Sequence, residues 1–129
     1  MILVDSSAWV EIIRDGPRAQ AFREHIEQAD AVLVPSLVLY EVYRVIDRQA
    51  GAVEADRVAA YLRSHQIVDL DEIMAITAAK LGREHHLAMG DAVVFATACL
   101  REATLVTGDS DFASLPQVAY IPVTDCPGA

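Results

Sequence analysis

The sequence predicts an α/β fold in which a mostly parallel sheet of about five short strands is flanked by helices. Short apolar runs, such as residues 2–4 and 104–107, alternate with longer stretches of helical character. These short runs are apolar throughout, which is typical of parallel strands covered on both faces. A chain of 129 residues with 53% hydrophobic residues is expected to form one domain spanning residues 1–129.

The first half of the chain predicts two buried strands and three helices. Residues 5–7 (Asp-Ser-Ser) have helix-start chemistry, Pro17 suits the first turn of a helix, and Ser36 suits an N-cap. Gly51 is suited to close the third helix. The predicted elements are a strand at 2–4, helices at 8–14 and 17–28, a strand at 31–34 and a helix at 36–49.

The second half predicts three further helices and three further strands. Asp71 is a predicted N-cap, residues 87–90 read as a loop, and Asp91 is predicted to open the most apolar helix. Pro122 interrupts the last strand. The predicted elements are helices at 54–65, 71–85 and 91–102, and strands at 67–70, 104–107 and 118–123, with a turn at 108–111.

Composition and charge bound the function. Nineteen acidic and ten basic residues give a formal net charge of −9, whereas most nucleic-acid binders have a basic surface. No apolar run approaches the roughly 20 residues that span a bilayer, and the first ten residues do not resemble a signal peptide. Cys99 and Cys126 offer neither a disulfide framework nor metal-ligand spacing. These features predict a protein of the reducing cytoplasm that does not associate with membranes.

Four acidic residues are predicted to meet at one edge of the sheet, where parallel α/β proteins bind their ligands. Asp5 and Asp109 follow predicted strands, and Asp91 precedes a helix that is apolar nearly all round. Each aspartate has a simpler interpretation as a cap or turn residue. Glu41 lies on an apolar stripe of its helix, where an ion pair with Arg44 is the alternative to metal binding.

Several carboxylates at one edge repel one another, and a divalent cation removes that penalty. Oxygen ligands favour Mg²⁺ or Mn²⁺ over Zn²⁺. His85 and His86 are adjacent but face different sides of a predicted helix, and His25 and His65 stand alone, so the histidines predict no competing site. The pattern therefore predicts a centre for Mg²⁺ or Mn²⁺.

Four motifs in this order and spacing, ILVDSSAWVE, PSLVLYEV, GDAVVFATA and LVTGDSDF, resemble the PIN-domain ribonucleases. The resemblance is strongest to the VapC toxins of toxin–antitoxin operons, covers nearly the whole chain, and implies a PIN-like three-layer fold. It implies catalytic and metal-binding roles for Asp5, Glu41, Asp91 and Asp109, and supporting roles for Ser6 and Thr107. Asp111 is either an outer metal ligand or the cap of a short turn. Gly108 stands where many relatives carry arginine.

The resemblance also implies an activity and partners. The expected activity is metal-dependent endonucleolytic hydrolysis of RNA that leaves a 3′-hydroxyl and a 5′-phosphate. The expected partners are a small DNA-binding antitoxin and a second copy of the chain, because the front helices are rich in apolar side chains, including Trp9, Ile12, Ile13, Leu39, Tyr40 and Tyr43.

Two other functions compete with this interpretation. One is a PIN-fold protein that binds RNA or a protein partner without cleaving RNA. The other is a phosphoacceptor receiver domain, which needs paired acids after its first strand and a lysine after its last. Here serines follow Asp5, and the only lysine, Lys80, lies in a predicted helix.

Overall fold

Five strands form the centre of the computed structural model, which describes residues 1–123. They are β1 (Ile2–Val4), β2 (Val32–Pro35), β3 (Gln66–Val68), β4 (Thr104–Thr107) and β5 (Val118–Tyr120). All neighbouring strands are parallel, in the order β3-β2-β1-β4-β5. The predicted parallel α/β class is thus confirmed. The strand order differs from the 2-1-3-4-5 order of receiver domains, so that alternative is wrong.

Six helices connect the strands. They are α1 (Ser6–Ile13), α2 (Ala19–Gln28), α3 (Ser36–Ala50), α4 (Ala52–Arg63), α5 (Glu72–His85) and α6 (Met89–Leu100), and a short 3₁₀ helix (Ser110–Phe112) follows β4. The chain crosses the sheet from β1 to β3 and then returns to the other side of β1. Since such crossovers are right-handed, α1–α4 cover one face and α5–α6 cover the other. No helix within residues 1–123 is long and apolar enough to cross a membrane.

The core lies on both faces of the sheet, as the uniformly apolar strands predicted. Every residue of β1 and β2 is buried, and in α6 the seven residues from Ala92 to Ala98 are buried in succession. Trp9 is fully buried, with its ring stacked on His65 at a centroid distance of 5.6 Å. Trp9 therefore belongs to the core and does not contribute to a dimer surface.

Three predicted helix starts were wrong. Pro17 lies in the turn before α2, whose N-cap is Arg18. Ser36 is the first helical residue of α3 and not its N-cap, and no side chain makes a capping hydrogen bond at this end of the helix. Met89 and Gly90 are helical, so Asp91 is the third residue of α6 instead of its cap. The extended backbone of Ala88 (ψ 160°) sets the start of α6 two residues earlier than the acidic residue suggested.

Other boundaries moved by a few residues. α4 begins at Ala52, directly after Gly51, whose φ of 88° closes α3. β3 covers Gln66–Val68 and ends before Leu70, and β5 ends at Tyr120, before Pro122. Cys126 lies outside the described residues.

Candidate metal centre

The acidic residues lie at the carboxyl ends of β1 and β4, which are neighbours in the sheet. The chain leaves β1 on one face and reaches β4 from the other, so this edge is the topological switch point where α/β proteins bind ligands. Asp5 directly follows β1, and its N–H donates to the Val106 carbonyl at 3.2 Å. Asp109 follows β4 two residues later. The fold therefore brings residues 104 positions apart to the same edge.

Asp5 is buried and held by three hydrogen bonds. One carboxylate oxygen accepts from the Ser7 hydroxyl at 2.9 Å and from the Ala8 N–H at 3.0 Å, which makes Asp5 the N-cap of α1. The other accepts from the buried hydroxyl of Thr107. Burial raises the pKa of Asp5, and these hydrogen bonds act in the opposite direction. The cap interpretation and the site interpretation of Asp5 are thus both consistent with its contacts.

Thr107 connects the acids of the two strands. Its hydroxyl donates to Asp5 and accepts from the Asp109 N–H at 3.0 Å. Asp109 in turn caps the 3₁₀ helix, since its Oδ1 accepts from the Asp111 N–H at 2.9 Å. The hydroxyl of Thr107 thus fixes the loop that carries Asp109 and Asp111 to the end of β1, and its supporting role in the site stays a prediction.

Asp91, Asp109 and Asp111 form a three-carboxylate cluster, in which one oxygen of each residue lies within 4.8 Å of the others. Burial, together with the charges of Asp109, Asp111 and Asp5, raises the pKa of Asp91 to about 6. Within residues 1–123, no Arg, Lys or His side chain forms an ion pair with any member of the cluster. An uncompensated donor set made only of oxygens fits Mg²⁺ or Mn²⁺.

Glu41 lies on α3 and faces the start of α6. A Cβ atom added to Gly90 would lie 3.8 Å from Glu41 Oε2, so the carboxylate approaches the turn that carries Asp91. Burial raises the pKa of Glu41, a hydrogen bond with Ser6 opposes this, and the charges of Asp91 and Asp5 raise it. Arg44 donates instead to the Tyr40 hydroxyl at 3.4 Å, so the alternative ion pair is not formed.

The structure thus divides the predicted acids into two groups. Asp91, Asp109 and Asp111 form the cluster, whereas Asp5 and Glu41 flank it and influence it electrostatically. Ser6 lowers the pKa of Glu41, and its supporting role stays a prediction. The sequence analysis missed Ser7, although a serine two residues after an N-cap aspartate is placed to contact it.

Arg18 was also missed. Its guanidinium pairs with Glu11 at 2.8 Å and donates to the carbonyls of Gly108 and Ile121, both at 3.0 Å. A side chain at position 108 would collide with this guanidinium. The positive charge beside β4 therefore belongs to Arg18, the N-cap of α2. Because Arg18 is far from β4 in sequence, no local pattern could reveal this contact.

Taken together, the parallel sheet and the acidic edge define an α/β protein with a candidate divalent-metal centre at its switch point. The family model described as PIN domain matches residues 2–118, and the chain belongs to the PIN-domain family. No curated protein sequence matches it significantly.

Several solved structures have the same fold. A toxin–antitoxin complex from Klebsiella pneumoniae has a chain with a TM-score of 0.79 and 22% identity, over 92% of this chain and 96% of that one. VapC20 of Mycobacterium tuberculosis, a sarcin-ricin loop cleaving toxin, has a TM-score of 0.76 and 21% identity, over 95% of this chain and 98% of that one. VapBC2 of Rickettsia felis, bound to a promoter DNA fragment, has a chain with a TM-score of 0.73 and 18% identity, over 95% of this chain and 98% of that one.

Proposed function

We propose that this protein is an endoribonuclease dependent on Mg²⁺ or Mn²⁺, and the toxin of a VapBC-type toxin–antitoxin pair. The observation that carries the proposal is the convergence of Asp91, Asp109 and Asp111 within 4.8 Å without a compensating cation in residues 1–123. Membership of the PIN-domain family and the fold shared with toxins of known structure support it. The proposed substrate is RNA.

The acidic side chains of the site have different proposed roles in phosphodiester hydrolysis. A bound divalent cation lowers the pKa of water and offsets phosphate charge. Asp91, Asp109 and Asp111 would hold it, and Asp5 adds fixed negative charge from its hydrogen-bonded position after β1. Glu41, which faces the start of α6, holds the attacking water or completes the ligand set. The products are expected to carry a 3′-hydroxyl and a 5′-phosphate.

Cleavage of a labelled RNA by the purified protein tests this proposal. We expect EDTA to abolish cleavage, Mg²⁺ or Mn²⁺ to restore it, and Asp91→Asn to remove most of it. The matched control is Glu24→Gln, which removes an exposed carboxylate on α2 and should cleave like the wild type. Full cleavage in EDTA, or by the Asp91→Asn variant, would show that the cluster is not the catalytic centre.

The proposed protein partner is a small DNA-binding antitoxin that blocks the acidic site. An Arg or Lys of the antitoxin would form an ion pair with Asp5, Glu41, Asp91 or Asp109 and so compete with the metal ion. Arginine suits this role because its planar guanidinium group binds carboxylates bidentately. The net charge of −9 would attract a basic partner. Co-expression with the product of the neighbouring reading frame tests this: a complex that forms but cleaves RNA undiminished would exclude blockade of the site.

We also propose that the chain forms a homodimer. Of the front-helix residues that suggested it, Trp9 is buried, and Ile12, Ile13, Leu39 and Tyr43 pack partly against the core. Tyr40 on α3 is 57% exposed, but a larger group of exposed apolar side chains lies just before α5, along α5 and at the start of α6, namely Leu70, Ile73, Ile76 and Met89. This α5–α6 face is therefore the surface we assign to the dimer.

A further inference from the structure

A cleft of about 700 Å³ leads away from the acidic edge between α1 and α3. Its upper end is formed by Ser6 and Glu41, which belong to the candidate metal centre. Its far end is formed by Arg14 and Gln49. The cleft is thus continuous with the proposed site of cleavage, and its volume falls within the usual range of ligand pockets.

The two helices present matching rows of side chains to the cleft. On α3, Glu41, Val45 and Gln49 are spaced by four residues and lie on one face, so Gln49 is about 12 Å further along the axis than Glu41. On α1 and its C-terminal cap, Val10 and Arg14 follow the same spacing. Both rows run from the acidic edge in the same direction, which suits an extended chain better than a compact ligand.

Arg14 gives the far end of the cleft a positive charge. It is exposed, and no carboxylate within residues 1–123 forms an ion pair with it. Glu11 also lines the cleft, but its charge is compensated by Arg18 at 2.8 Å. In a protein of net charge −9, an unpaired arginine in a cleft that begins at the candidate metal centre is suited to a phosphate of the substrate.

The middle and end of the cleft suit a nucleobase. Val10, Pro17 and Val45 offer apolar surface to the faces of a base. The exposed amide of Gln49 carries both a donor and an acceptor, which is what recognition of a base edge requires. Phosphate, ring and edge would thus each meet a side chain of matching chemistry.

We infer that this cleft is a subsite for the RNA strand on one side of the cleaved bond, in which Arg14 binds a phosphate and Gln49 selects a base. The inference rests on the proposed ribonuclease function and adds the part of the site that sets sequence preference. It predicts different effects for the two residues, because phosphate contacts carry no sequence information whereas base contacts do.

Binding of fluorescent single-stranded RNA to the Asp91→Asn protein tests the subsite without cleavage. Adding Arg14→Ala should weaken binding of all sequences alike, by about tenfold, and reduce the slope of log Kd against log salt by about one. Adding Gln49→Ala should weaken binding only of the preferred base at one flanking position, by about tenfold, and leave the salt dependence unchanged. Cleavage of an RNA pool by the single variants should show the same loss of preference for Gln49→Ala.

The matched controls are Arg101→Ala and Gln28→Ala, which remove the same side chains from exposed positions at the opposite edge of the sheet. Both should bind RNA like the parent. If Arg14→Ala and Gln49→Ala also bind and select RNA like the parent, the subsite is wrong even where Asp91→Asn abolishes cleavage. If they weaken antitoxin binding but not RNA binding, the cleft belongs to the protein partner and the inference is likewise overturned.

Discussion

Asp109 and Asp111 are two residues apart in one loop, but their surroundings differ. Asp109 is half-buried, and its backbone is tied through Thr107 to Asp5, whereas Asp111 is exposed. A better-fixed ligand contributes more to catalysis because its position costs no reorganisation. We expect Asp109→Asn to lower kcat/KM about tenfold more than Asp111→Asn, a difference of about 1.4 kcal/mol. Equal or reversed losses would make Asp111 the principal ligand of this loop.

Asp91 is the residue at which catalysis and stability should conflict. Burial and the charges of Asp109 and Asp111 raise its pKa to about 6, so the ionised form destabilises the metal-free fold. The free energy of unfolding of the metal-free protein is therefore higher at low pH, where Asp91 is protonated, and falls as the pH rises through 6. We expect Asp91→Asn to raise the Tm of the metal-free protein by about 3 °C at pH 7.5 but not at pH 4.

Thermal melts in EDTA and in Mg²⁺ measure both effects. Mg²⁺ should raise the Tm of the wild type, because it binds the folded state only, and should leave that of Asp91→Asn nearly unchanged. The control Glu24→Gln, at an exposed position, should respond to Mg²⁺ like the wild type. A wild-type Tm that is insensitive to Mg²⁺ up to millimolar concentrations would argue against a metal centre at this cluster.

At the level of the elements, Arg18 connects the start of α2 to the loop after β4 and to the chain beyond β5. Its pair with Glu11 is largely buried, and its two carbonyl contacts are with Gly108 and Ile121. Removing one partner of such a pair leaves an uncompensated charge, so Arg18→Ala should lower the free energy of unfolding by about 3 kcal/mol. The Arg23–Asp15 pair has nearly the same length (2.9 Å) but is far more exposed.

Urea unfolding of matched variants measures how much the contacts of Arg18 with Glu11, Gly108 and Ile121, here called the clamp, contribute to the free energy of unfolding. Arg23→Ala should cost less than about 1 kcal/mol, because solvent screens exposed pairs. Gly108→Ala should destabilise the protein less than Arg18→Ala, since the added methyl group displaces the guanidinium from the Gly108 carbonyl but leaves its pair with Glu11 possible. Similar small losses for Arg18→Ala and Arg23→Ala would show that the clamp adds little.

The elements also show what the sequence could predict. β1 and β4 were predicted with their observed bounds, because short apolar runs bordered by helix and turn signals have few alternatives. The start of α6 was missed because Met89 and Gly90 resemble a loop, although both are helical. The clamp by Arg18 was invisible because its carbonyl partners are 90 and 103 residues away in sequence. Contacts of that kind depend on tertiary packing, which no local pattern encodes.

At the scale of the whole molecule, the acidic site depends on the sheet topology. Asp5, Asp91 and Asp109 come from three separate parts of the chain, and they meet because β1 and β4 are adjacent while α6 reaches the same edge from the opposite face. The four motifs contain all three of these residues, but the grouping of Asp111 with Asp91 and Asp109 could be seen only in the folded chain. A local pattern predicts which residues face an edge, and only the fold determines which carboxylates share an ion.

The whole molecule also presents an apolar α5–α6 face that a single chain leaves uncovered. Ile73 and Ile76 are 69% and 60% exposed, and Met89 is 82% exposed. Exposed apolar surface of this kind commonly marks self-association. We expect light scattering at micromolar concentration to give about twice the chain mass of 14.0 kDa.

A substitution on the α5–α6 face should separate the two chains. Ile76→Glu places a charge in the assigned interface, where it would be desolvated, so this variant should scatter as a monomer. Val53→Glu is the matched control, because Val53 is 76% exposed on α4 and lies outside that face. The control should remain dimeric and keep the wild-type Tm, whereas Ile76→Glu should lose only the stabilisation that association supplies, since neither side chain belongs to the core. A wild type that scatters as a monomer would refute the dimer, and a dimeric Ile76→Glu variant would place the interface elsewhere.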